Sequence, residues 1–129
     1  MPALPRHPRF WLGAFLLWFV VLWLLSSFSR TGDYMPPIVN FDKVLHFGFF
    51  SGGSGLFCAW LFRRRPENPN WKAIFWIAVG VIALVGCLDE FHQGFTPGRS
   101  GNDPGDVMAD TLGAACGAFV FRMFHHRLK

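Results

Sequence analysis

Residues 10–28 read FWLGAFLLWFVVLWLLSSF, nineteen positions without a charge. A helix that is apolar on every side finds no aqueous face and belongs inside a core or a bilayer. Three further blocks repeat the pattern: 44–62, VLHFGFFSGGSGLFCAWLF, broken by His46; 73–88, AIFWIAVGVIALVGCL; and 107–124, VMADTLGAACGAFVFRMF, with Asp110 near its start and Arg122 near its end. A bilayer core about 30 Å thick takes roughly 20 helical residues, and about 17 suffice. The first two blocks meet that length alone, and the other two recruit flanking residues or a thinner bilayer. A spanning segment must satisfy its own backbone, so the blocks are predicted to be helices. The expectation is an all-α, four-helix transmembrane bundle with spans at about 10–28, 44–62, 72–88 and 107–124, one membrane domain over residues 1–129.

The basic residues orient this bundle. Arg6, Arg9, Arg63, Arg64, Arg65, Lys72, Arg122, Arg127 and Lys129 fall on one side of a four-helix hairpin, whereas Arg30, Lys43 and Arg99 fall on the other. The positive-inside bias therefore predicts both termini in the cytoplasm (N-in, C-in), with a polar extracytoplasmic loop between helices three and four, in a multi-pass protein of the cell (inner) membrane. The formal net charge of +4 reports this topology. Nothing resembles a basic, aromatic-spaced nucleic-acid surface, and the partner predicted first is the lipid bilayer. Arg6–Arg9 before an apolar run also fits a signal peptide with Ser27-Phe28-Ser29 as a small-x-small site, but the run is long for one. Cys58, Cys87 and Cys116 lie inside helices at no metal or redox spacing and read as packing residues.

Polarity concentrates in 88–106, LDEFHQGFTPGRSGNDPGD, which holds four of the eight carboxylates. In an antiparallel bundle, Asp42, Lys43 and His46 at the start of helix two meet Asp89, Glu90, His92 and Gln93 at the end of helix three, and Asp106 and Asp110 at the start of helix four. Arg99 lies in the joining loop. Asp42 and His46 are four apart, as are Asp106 and Asp110, so each pair shares a helical face. Gly113 and Gly117 continue the second stripe. Helix two carries Gly48, Gly52 and Gly55 with Ser51 and Ser54, and small residues of this kind permit close approach of helices two and four, bringing His46 toward Asp110. Asp42, Asp89, Glu90, Asp106 and Asp110 against Lys43 and Arg99 leave an excess of negative charge that demands protons, a charged His46 or a bound cation. The bland readings are that Asp42 and Asp106 cap helices, that Arg99 is a counter-ion for Asp89 or Glu90, that Glu90 and Gln93 pair, and that His92 is a solvated loop residue.

FDKVLHFGFF, LDEFHQGFTPGR and DVMADTLGAACG, in this order, resemble the VanZ-like family of bacterial membrane proteins, from residue 41 to about 120. The matching positions are Asp42, Lys43, His46, Asp89, Glu90, Gln93, Phe95, Pro97, Gly98, Arg99, Asp106, Gly113 and Gly117. Phe50 stands where the family usually has tyrosine, and Asp110 where it usually has asparagine. The resemblance implies a four-helix integral protein of the cell envelope. The family's namesake is associated with reduced susceptibility to the glycopeptide teicoplanin.

Three functional readings follow. In the first, the outer cluster binds an envelope lipid or lipid-linked glycan, with Asp42, Lys43, Gln93 and Arg99 as ligand-binding residues, and glycopeptide susceptibility changes because surface precursors are masked or altered. In the second, that site is catalytic, with His46, Asp89, Glu90, Asp106 and Asp110 sharing general acid and base roles. Asp42, His46, Glu90 and Asp106 also suit a divalent cation, but no strong ligand spacing such as HExxH is present, so no metal residue is assigned and the cofactor is left unknown. In the third, the polar cluster clamps the helix ends of a structural or interaction subunit. A pore is disfavoured because no midplane charge continues the path. Glycine stripes serve packing within and between chains alike, so the oligomeric state is not fixed.

Overall fold

The computed structural model describes residues 4–28 and 38–128, and Ser29, Arg30 and Lys129 fall outside them. Four helices follow one another: α1 (Pro8–Ser27), α2 (Phe41–Arg64), α3 (Trp71–Gln93) and α4 (Pro104–Phe124), closed by a 3-10 turn at His125–Leu128. The described residues contain no strand. At about 1.5 Å per residue, helices of 20 to 24 residues run roughly 30–36 Å, and all four are long and apolar enough to cross a bilayer. Much of the apolar surface faces outward, including Leu17, Trp76, Leu84 and Phe119, as expected where lipid replaces water.

The helices are longer than the hydropathy blocks. Asn40 adopts a left-handed conformation (φ 61°) and α2 starts directly after it, which places Asp42 and Lys43 in the first helical turn. The cap of α2 is thus Asn40, and Asp42 is a first-turn acid at the favoured end of the dipole. α3 continues through Gln93, so Asp89, Glu90, His92 and Gln93 are helical. Asp103 caps α4 by accepting from Gly105 N at 2.7 Å, with Pro104 at the first helical position. Asp106 therefore lies inside the helix, and the cap is its neighbour.

The tightest contact is α2 against α4, followed by α3 against α4, while α1 packs mainly on α2. Small residues on α4 cause that closeness. A Cβ on Gly113 would strike the Phe47 carbonyl oxygen, and one on Gly117 that of Ser51. Across the same seam Ser51 Oγ shares its proton between Gly113 O at 2.9 Å and Phe47 O of its own helix at 2.8 Å, and Ser54 Oγ donates to Ala114 O at 2.7 Å. The glycines predicted to matter on α2 do not take part: Gly48, Gly52 and Gly55 meet nothing within 4 Å. α2 offers its backbone and its serines here, and α4 supplies the glycines. α1 is joined by Trp18, whose indole lies against Gly53 and donates to Phe49 O at 3.1 Å.

Candidate functional site

One end of the bundle gathers the polar residues. His46 from α2, Asp89, Glu90 and Gln93 from α3, and Asp106 and Asp110 from α4 are all buried there. Asp110 is 0% exposed and hydrogen-bonds His46 Nδ1 through Oδ1 at 2.9 Å. Its other oxygen, Oδ2, is buried without a hydrogen-bond partner among the described residues. α3 makes room for this side chain with Gly86, where a Cβ would sit 2.7 Å from Oδ2. His46 Nε2 lies 3.9 Å from Asp106 Oδ2.

Asp89 is held from two helices. Ser26 Oγ of α1 donates to its Oδ1, and Gln93 Nε2 donates to Oδ2 at 2.7 Å. Gln93 is therefore the partner of Asp89, one turn away, and the expected pairing with Glu90 does not form. Gln93 Oε1 accepts from Arg99 Nε at 3.2 Å, which brings the loop arginine to the cluster. Glu90 Oε2 accepts from Asp103 N at 2.9 Å, fastening the start of α4 to α3. Glu90 Oε1 is buried without a hydrogen-bond partner among the described residues.

A second, outer group surrounds Lys43. Its ammonium donates to Asp103 Oδ2 and Asp106 Oδ1, each at 2.9 Å, and Asp42 stands at the limit of contact, 3.5 Å away. The Lys43 ammonium holds the Asp103 carboxyl below the usual carboxylate range, helped by the Gly105 N–H. The connection from α3 to α4 folds back over this end. Thr96 Oγ1 donates to Ser26 O at 3.0 Å, and a Cβ on Gly101 would overlap the Gly94 backbone. Gly98 and Asn102 take positive φ, 77° and 62°, to make the reversal.

Two cavities open at this end. The larger, about 300 Å³, is lined by the polar residues Ser26, His46, Asp89, Gln93 and Arg99 and by the apolar residues Leu22, Leu25, Leu45, Phe49 and Phe50. The smaller, about 120 Å³, is almost wholly polar and includes Asp42, His46, Gln93, Arg99 and Asp106. His46, Gln93 and Arg99 border both. Phe50 lies parallel to His46, with ring centroids 6.1 Å apart.

The VanZ/LLP1 family model matches residues 9–125. The chain belongs to this family. No curated protein and no solved structure matches it. The family match together with four membrane-length apolar helices makes the chain a VanZ-like multi-pass membrane protein.

All nine candidate site residues read from the sequence lie at this one end. Five are buried carboxylates or imidazole (His46, Asp89, Glu90, Asp106 and Asp110), Gln93 is buried beside them, and Asp42, Lys43 and Arg99 are half-buried at the rim. His92 corrects an expectation: it is half-buried and stacks face to face on Trp23 of α1, centroids 3.8 Å apart. Sequence reasoning missed Ser26, Thr96, Gly86 and Asp103. Of these, Asp103 carried a signal, since Asp-Pro-Gly ahead of an apolar run marks a cap followed by proline at the first helical position. Ser26 carried none, because its partner lies 63 residues along the chain.

Proposed function

We propose that this chain sits in the inner membrane with both termini in the cytoplasm and binds or modifies an envelope lipid or lipid-linked glycan at its extracytoplasmic end. The observation that carries the reading is the mixed lining of the larger cavity. Its polar residues, His46, Asp89, Gln93 and Arg99 among them, suit a head group, and its apolar residues, Leu22, Leu25, Leu45, Phe49 and Phe50, suit the start of a tail. Arg99 supplies hydrogen-bond donors for phosphate or carboxylate. Asp42 borders the neighbouring polar cavity and Lys43 holds Asp106, another of its lining residues, so sugar or phosphate substituents would extend there. Asp110 occupies Nδ1 of His46, which leaves Nε2 to the site for a proton or an ion. Masking or altering a surface lipid precursor would link the site to glycopeptide susceptibility, as the family resemblance implies.

The test is lipid co-purification. Protein extracted in mild detergent should retain a stoichiometric anionic or glycosylated lipid by mass spectrometry. Arg99→Ala and His46→Ala should lose it while still eluting as folded protein. Wild-type protein without stoichiometric lipid, and without any altered species after incubation with envelope lipid extract, would overturn the reading. For the orientation, an impermeant maleimide should label cysteine at positions 42 and 100 in intact cells, in a background lacking the native cysteines, and not at position 64.

A structural-subunit reading has its own support. Ser26–Asp89, Thr96–Ser26 and Glu90–Asp103 tie the ends of α1, α3 and α4 together. Under it, conservative changes at Arg99 would leave both lipid content and phenotype intact.

A further inference from the structure

We propose that His46, Asp89 and Glu90 form a binding site for one divalent first-row cation of the Mn²⁺ to Zn²⁺ range. A ring nitrogen of His46 and one carboxylate oxygen from each acid lie within 4.8 Å of one another, and all three residues are buried. One imidazole with two carboxylates is a donor set these ions accept, and the nitrogen keeps it from being an acid cluster alone.

Two independent features point to a ligand. Glu90 is 2% exposed, and its Oε1 has no hydrogen-bond partner among the described residues although Oε2 is held by Asp103 N. A buried carboxylate oxygen left in this way costs free energy unless something positive meets it. The second feature is Asp110. It takes Nδ1 of the imidazole and so fixes the ring, which is the carboxylate–histidine arrangement that orients metal-binding imidazoles. Asp89 is likewise held in place by Ser26 and Gln93 without exhausting its lone pairs.

Charge separates this group from the other acidic trio. Asp42, Asp103 and Asp106 also approach one another closely, but Lys43 Nζ already lies 2.9 Å from Asp103 and from Asp106. Asp89, Glu90 and Asp110 are three buried carboxylates around one imidazole, and a divalent ion offsets that charge. His46 and Asp89 also line the larger cavity, so an ion held by them is reachable from it. The assignment rests on these contacts and does not require the lipid reading.

The experiment uses full-length protein in detergent, stripped with chelator and dialysed against Mn²⁺ or Zn²⁺ alone. Mass spectrometry for metals should find about one ion per chain. Losing an outer-shell partner costs metal sites about 10–100-fold in affinity, so losing a ligand by Glu90→Gln or Asp89→Asn should weaken binding at least that much. The Asp42→Asn/Asp103→Asn double variant should bind as wild type. No retained ion in wild type, unchanged affinity in both ligand variants, or loss confined to the outer double variant overturns the proposal. X-ray absorption on the wild-type zinc form needs no variant to fold: a histidine nitrogen among the ligands supports it, and an all-oxygen shell overturns it. Lipid content is read separately on the chelated protein. Lipid retained by protein that takes up no ion would sink this proposal and leave the lipid reading standing.

Discussion

Replacing Gly117 by alanine should pry α2 from α4, and replacing Gly52 by alanine should not. At position 117 the new methyl group overlaps the carbonyl oxygen of Ser51, which is helix backbone and cannot rotate away. Overpacking of this kind costs about 1–3 kcal/mol. Separation also stretches the Ser51–Gly113 and Ser54–Ala114 hydrogen bonds, each worth on average about 0.6 kcal/mol between membrane helices. Alanine is intrinsically better than glycine within a helix by about 0.8–1.0 kcal/mol, but that gain applies equally at Gly52, whose Cβ would meet nothing within 4 Å. The difference between the two variants is therefore the packing cost, about 2–4 kcal/mol. Reversible unfolding in mixed micelles, followed by the fluorescence of the six tryptophans, measures it. Gly113→Ala should behave like Gly117→Ala, and the double variant should cost less than the sum, because one displacement relieves both clashes. Agreement of Gly117→Ala with Gly52→Ala to within about 0.5 kcal/mol would refute the seam as described.

Two further outcomes are expected. Asp103 has its pKa lowered in the folded protein, so its link to Lys43 contributes stability that is present above the unfolded value of about 3.9 and is lost as pH falls through the lower folded value. Melting temperature measured against pH should show an acid step that Lys43→Met diminishes, and identical profiles would remove Lys43 as its cause. Ser26→Ala should cost about 1–3 kcal/mol, because it takes a donor from the buried Asp89 carboxylate. In a double-mutant cycle with Gln93→Leu it should couple by more than about 0.5 kcal/mol, since both side chains serve the same group, and simple additivity would contradict that.

The four spans were legible because hydrocarbon solvent imposes length and apolarity on each segment separately, and both are local properties of the chain. The polar end was legible because antiparallel helices bring the start of α2 and the end of α3 to the start of α4. The i, i+4 spacing of Asp106 and Asp110, continued by Gly113 and Gly117, carried the expectation that His46 meets Asp110, and the two side chains do hydrogen-bond. What stayed hidden depends on which face each helix turns. Gly48, Gly52 and Gly55 look like Gly113 and Gly117 in sequence, yet a Cβ on any of the three would meet nothing within 4 Å, and Gly52 and Gly55 border a cavity beside α4 instead of packing on it. His92 looked like a loop residue because the hydropathy of its block ends at Leu88, whereas hydrogen bonding carries α3 one turn further and sets the ring on Trp23. Ser26 lies in the most uniformly apolar block of the chain, and only the packing of α1 reveals what it touches.

The bonds that assemble this end of the bundle run through the carboxylates proposed to act there. Deleting Asp89 unfastens α1 from α3, and deleting Glu90 frees the chain ahead of α4. A genetic screen for inactive variants will therefore return many proteins that were never properly made. The informative alleles are the near-isosteric amides, Asp89→Asn and Glu90→Gln, scored against the quantity of protein reaching the membrane.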